Sequence, residues 1–148
     1  MIKKAYTLVE VMLALALVAL VSVPVGQNIK RFAQNISWNQ DIILFEDFFQ
    51  HACDIVLYHD LDIAITLEQK GDCVSVFPLC DNPYAIASLK PVTLKKCSFS
   101  INEEPAETAT FHLSFFGGYQ SPFTLSLNSP LKTISYRIQD FPHVLYKS

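Results

Sequence analysis

The chain has 148 residues, 51% of them hydrophobic and 17% charged, with a formal net charge of −3. That length suits one domain of ordinary size, and that composition excludes a disordered or a collagen-like chain. The mildly acidic balance gives no electrostatic reason to expect direct nucleic-acid binding.

Residues 5–25 (AYTLVEVMLALALVALVSVPV) carry one charge, Glu10, and are otherwise almost wholly apolar. A helix of that length spans about 31 Å, close to the ~30 Å hydrocarbon core of a bilayer. Lys3 and Lys4 stand ahead of it. Lysines there keep the N-terminal side cytoplasmic, so 26–148 are expected outside the cytoplasm. Three readings compete: a cleaved secretory signal peptide, a plain single-pass anchor, or a leader cut ahead of the apolar stretch, which is then retained. Glu10 separates them. A carboxylate in an apolar helix costs roughly 2.5–3.5 kcal/mol at the bilayer centre, and less near an interface. A signal peptide or plain anchor has no use for that cost. A free α-amine on a neighbouring chain would be a partner, and a cut after Ala5 would create one on Tyr6.

The run Lys3-Lys4-Ala5-Tyr6-Thr7-Leu8-Val9-Glu10 resembles the type IV prepilin signature. That signature is a short basic leader, a small residue before the cut, an aromatic after it, then Thr-Leu-apolar-Glu. Glu10 is the fifth residue counting from Tyr6; Ala5 stands where Gly is usual, and Tyr6 where Phe is usual. The resemblance implies that a prepilin peptidase cuts between Ala5 and Tyr6 and methylates the new amine. It further implies that Glu10 pairs with a neighbour's α-amine during assembly. The implied partners are other pilins or pseudopilins, the inner-membrane assembly platform and its ATPase. The implied organisation is a leader at 1–5, a membrane and filament-core segment at 6–25, and a periplasmic or extracellular domain at 26–148.

Pro24 and Gly26 predict a kink or local melting, because proline removes a helical hydrogen bond. Beyond them Ile29, Phe32, Ala33, Ile36 and Ile43 recur at helical spacing, and Phe45, Phe48, Phe49, Ala52, Ile55 and Val56 continue the stripe. This predicts an amphipathic helix to about Tyr58, its stripe packed on the rest of the chain. From Leu61 the period becomes two. Ile63, Ile65 and Leu67 alternate with polar residues, Lys70-Gly71-Asp72 reads as a turn, and Cys73–Phe77 as the return strand of a hairpin. Residues 79–89 read as loop. Further strands are expected at Val92–Ile101, Thr110–Phe116, Phe123–Leu127 and Thr133–Ile138, with turns at 102–107 and 117–122. One long helix followed by strands on short turns predicts an α+β fold with an antiparallel sheet. The pilin resemblance implies the same fold.

Four cysteines, Cys53, Cys73, Cys80 and Cys97, lie beyond the apolar segment, where disulfides are permitted. Their spacings match no zinc pattern. The reading favours a Cys73–Cys80 bridge, with Phe77-Pro78-Leu79 turning the chain between them. The competitors are a Cys53–Cys97 bridge and four free core thiols. His51 and His59 fall about 80° apart on a helix and cannot share a metal unaided; with His112 and His143 they read as structural or surface histidines rather than ligands. Asp54, Asp60 and Asp62 form no calcium loop. No nucleophile elbow, P-loop or dinucleotide fingerprint is present. Neither an enzyme nor a cofactor is expected.

The resemblance therefore implies a structural subunit: a minor pseudopilin of a type II secretion or DNA-uptake (competence) machine, held in the inner membrane by one pass until assembled. Asp41–Ile55 faintly resembles the J-type minor subunit through Leu44, Glu46, Asp47, Phe48 and Gln50. Two alternatives stand beside this. One is a minor pilin of a type IV or competence pilus. The other is an anchored or secreted binding domain with an ordinary signal.

Overall fold

The first 52 residues with assigned structure form one helix, α1 (Leu8–His59). The computed structural model describes residues 8–82, 84–114, 122–138 and 146–147. The expected interruption at Pro24 and Gly26 does not appear as a break, because α1 is helical through both. Proline withholds one N–H from the ladder, and the bonded turns on either side carry the helix past it. α1 stops at His59, and Asp60 follows with φ of 51°, the left-handed conformation that ends many helices and that Asp tolerates.

Among the described residues nine strands follow: β1 (Ile63–Lys70), β2 (Cys73–Leu79), β3 (Val92–Lys95), β4 (Ser98–Ile101), β5 (Glu104–Pro105), β6 (Thr108–Leu113), β7 (Phe123–Asn128), β8 (Thr133–Ile138) and β9 (Tyr146–Lys147). They make two antiparallel sheets, ordered β3-β2-β1-β6 and β5-β4-β7-β8-β9. The expected hairpin is present. Lys70 pairs with Cys73 across Gly71-Asp72, and Gly71 has φ of +63°, as a two-residue hairpin loop with Gly first requires.

Three strand expectations are corrected. Val92–Ile101 is two strands in different sheets, because Lys96 adopts φ of 51° and turns the chain out of the first. β2 does not turn at Pro78 but runs through it to Leu79. β3 covers only Cys73–Val76 of β2, so one side of Pro78 has no neighbouring strand, and a missing N–H there breaks no ladder bond. The 102–107 turn contains a short strand, β5, paired with β4 through Ser100–Pro105 and Ile101–Glu104. The turn expected at 117–122 lies outside the described residues except for Pro122.

The chain divides into two compact units, Met1–Ser37 and Trp38–Ser148. In the second, burial on the helix begins at Trp38 and recurs at Ile42, Phe45, Phe49, Ala52 and Val56, steps of three or four residues along one helix face. The earlier stripe is not part of this core. Ile29, Phe32, Ile36 and Ile43 are 64%, 68%, 44% and 56% exposed. Within the second unit, Ile43 falls on the opposite helix face from Phe45 and Phe49 and stays exposed.

Phe49 stacks on Phe111 of β6 at 5.3 Å and 15°, while Phe45 meets Tyr136 of β8 at 5.6 Å. The two helix rings are 4.9 Å apart. One turn of helix thus joins both sheets. Two polar bonds repeat the pattern. The Tyr136 hydroxyl donates to Glu46 Oε1 at 2.9 Å, and the Lys95 amide of edge strand β3 donates to Asp41 Oδ2 at 3.0 Å. Phe49 is fully buried between the helix and the first sheet. Phe49→Ala is expected to cost about 3–5 kcal/mol, by lost transfer energy and the cavity left behind. Urea unfolding of a soluble chain beginning at Gln27 measures it. Its circular dichroism is expected to show mixed helix and strand.

Candidate functional site

The first candidate site is the N-terminal part of α1. Every residue from Leu8 to Leu20 is exposed, and nearly all are apolar. Contiguous apolar surface on this scale is not stable in water and calls for lipid or other helices. Among the described residues, α1 is the one helix long and apolar enough to cross a membrane. Glu10 is the acidic residue of its first described turn and is exposed. A carboxylate near a helix N-terminus is favoured by the helix dipole, by typically 0.3–1 kcal/mol. Ala5 and Tyr6, the expected cleavage pair, lie outside the described residues.

The favoured cysteine bridge does not fit the strand. Cys73 opens β2 and Cys80 follows its last residue, so the two are held at opposite ends of extended chain. Seven steps at ~3.3 Å separate their Cα atoms by roughly 23 Å, far beyond the ~4.4–6.8 Å a disulfide spans. All four cysteines are free. Cys53 and Cys97 are core residues, whereas Cys73 and Cys80 are half-buried. Burial pushes the Cys53 thiol up to about 11, with the nearby Asp54 charge adding to it. Burial likewise pushes Cys97 up to about 12, with Asp41 and Cys73 raising it further against a backbone hydrogen bond that lowers it.

The polar residues singled out by spacing are scattered. His51 Nε2 lies 3.0 Å from Ser88 Oγ, tying the segment between β2 and β3 to the helix at the lip of an open groove of about 620 Å³. Asp47 and Asp54 share that groove, and Gln50 donates to Asp54 at 3.1 Å. Among the described residues no carboxylate bonds the other imidazole nitrogen. The exposed Ser–His contact therefore lacks the oriented third group that acyl-transfer chemistry needs. Among the described residues no group of three His, Cys, Asp or Glu side chains is placed to hold a metal ion. Three contacts had no signal in the sequence: Glu46–Tyr136, Asp41–Lys95 and His51–Ser88. Each joins residues at least 37 positions apart.

Residues 1–26 match the family model described as the prokaryotic N-terminal methylation motif. The match supports a type IV pilin-like protein. It covers the leader and the apolar segment, and it implies processing by a prepilin peptidase and assembly with other pilins. No curated protein and no solved structure matches the chain. With the motif at its head, the apolar helix suggests a membrane-anchored single-pass pilin. One long N-terminal helix followed by antiparallel sheets is a pilin-like α+β architecture, and it suggests a non-enzymatic structural subunit.

The buried thiols generate a pH prediction. Both thiols are held above the ordinary thiol value of about 9. The folded state therefore holds these protons more tightly than the unfolded state. The stability they contribute is complete below about pH 9 and is lost as pH rises towards 11–12. Tyr136, pushed up by burial and then by its hydrogen bond to Glu46, acts in the same sense. The urea midpoint of the soluble chain is expected to fall from pH 9 to pH 11, and to fall less steeply in Cys97→Ala. At pH 8, iodoacetamide is expected to label Cys73 and Cys80 in native protein, and Cys53 and Cys97 only after denaturation.

Proposed function

We propose that this chain is a structural subunit of the type IV filament class, specifically a minor pseudopilin of a type II secretion pseudopilus. The observation that carries the reading is the coupling of the leader motif at 1–26 to an exposed apolar helix whose only charge from Leu8 to Val25 is Glu10. The leader, 1–5, is removed by a prepilin peptidase between Ala5 and Tyr6, and the new α-amine on Tyr6 is methylated. Residues 6–25 hold the subunit in the inner membrane until it enters the filament. Residues 26–148 remain outside the cytoplasm. In the filament Glu10 faces the Tyr6 amine of an adjacent subunit. Inside an apolar helix bundle an unpaired charge is costly, so the pair fixes axial register more than it adds net stability. The assembly platform and its ATPase drive subunits from membrane to filament.

Mass spectrometry of the protein from cells that contain a prepilin peptidase is expected to find a chain starting at N-methylated Tyr6. An intact N-terminus, or one at Gln27, refutes the reading. Glu10→Ala is expected to insert normally, since removing a charge eases insertion, but to impair assembly. Wild-type secretion together with wild-type DNA uptake in that variant rules out the pairing role. Lost DNA uptake with unaffected secretion would assign the subunit to a competence pilus instead.

A further inference from the structure

The groove of about 620 Å³ beside His51 runs between α1 and the segment that leads from Ser88 into edge strand β3. Two hydrogen bonds tie these walls together. Asp41 Oδ2 accepts from the Lys95 amide, and His51 meets Ser88, each at 3.0 Å. Asp41 and His51 are ten residues apart on the helix, so the ties stand about 15 Å apart. Between them the walls part over a floor of buried Phe48 and Leu89. That span admits about four residues of extended chain. The groove leaves two kinds of polar group open. The Lys95 amide points away from β2 to reach Asp41, and alternate residues of an antiparallel strand point the same way. The amide and carbonyl of Thr93, which lines the groove, therefore also point outwards from the sheet edge. On the helix wall stand Asp47 and Asp54, and among the described residues neither has an ion-pair partner. No Lys or Arg occurs from 32 to 69 to neutralise them. The other wall carries one unpaired ammonium, Lys90.

We infer that this groove binds a short extended segment of a partner polypeptide, which pairs its backbone with Thr93, buries alternate apolar side chains on Phe48 and Leu89, and directs a single Lys or Arg to Asp47 and Asp54. Each requirement follows from one feature of the groove. An open amide and carbonyl on a sheet edge match a peptide backbone, and this is how strand addition gains its affinity. An apolar floor between two walls takes apolar side chains. Two unpaired carboxylates on the helix wall select a cation. Lys90 on the facing wall opposes a polybasic run, so one positive charge is selected rather than several. The Asp41–Lys95 bond ends the open edge, because it already occupies the next outward amide. The site lies wholly within Trp38–Ser148 and uses neither Glu10 nor the apolar part of α1, so it does not depend on which filament the subunit enters.

The test uses the full chain in lipid nanodiscs and a fluorescein-labelled probe peptide, Thr-Leu-Lys-Val-Thr-amide, followed by fluorescence anisotropy. The expected result is saturable binding that weakens about tenfold when Glu replaces the probe's Lys, and about tenfold in the Asp47→Lys chain. Two backbone-methylated probes read the strand pairing. One is methylated at the Leu and Val amides, the other at the Lys amide. Only alternate amides meet a sheet edge, so one of the two is expected to lose binding and the other to keep it. No saturable binding, no difference between the two methylated probes, or indifference to both charge changes overturns the inference. Binding of N-acetyl-lysine amide as tight as that of the probe overturns it in favour of a small-molecule pocket. Self-association of the chain that the probe displaces overturns it in favour of a second copy. The peptide comparisons use the unaltered chain, so they decide the matter even where a variant fails to fold.

Discussion

Two phenylalanines one helical turn apart hold this fold together. Phe49 engages the first sheet through Phe111, and Phe45 engages the second through Tyr136. Aromatic pairs at these separations add roughly 0.5–1.5 kcal/mol each beyond the area they bury. Among the described residues the sheets are of four and five strands, and they touch one another only lightly, between β2 and β4. The helix is therefore the shared wall that turns two small sheets into one core. The polar bonds from Asp41 and Glu46 lie on the same stretch of helix and reach the same two sheets. Asp41 also occupies an amide on edge strand β3 that would otherwise be open to another strand.

The helix works on two faces, and this explains what the sequence made legible and what it hid. Hydrophobic spacing located α1 to within a residue of its end, because Phe45, Phe49, Ala52 and Val56 follow the helical period closely. The same spacing rule also collected Ile29, Phe32, Ile36 and Ile43, and periodicity alone cannot say which of two apolar stripes meets the sheets. The β1–β2 hairpin was legible because Gly71 supplies the positive φ its turn needs. The split between β3 and β4 was not, because Lys96 adopts that conformation without being glycine. Pro78 suggested a turn, but whether proline breaks a strand depends on which neighbours that strand has, and that is decided by β3, which begins at Val92.

The candidate site divides in the same way. The leader motif is local, a run of eight residues, and was readable from Lys3 to Glu10 because each position has its own chemistry. The cysteines were not, since pairing depends on where strands end. A bridge from Cys73 to Cys80 needed a bend, and extended β2 took its place. The contacts that fasten the helix to the sheets join residues 54 and 90 positions apart, and nothing in either short segment announces the other.

The spread of the helix contacts has a mechanical consequence. From Trp38 to Val56 the buried face of α1 extends about 27 Å at 1.5 Å per residue. A pull along the helix axis loads the Phe45 and Phe49 rings, the Asp41–Lys95 bond and the Glu46–Tyr136 bond together, as shear. None can fail first without the others still bearing tension. A sideways pull at either end would instead open them in turn, like a zip. A helix fastened this way transmits thrust along its own length to the sheets and yields to prying.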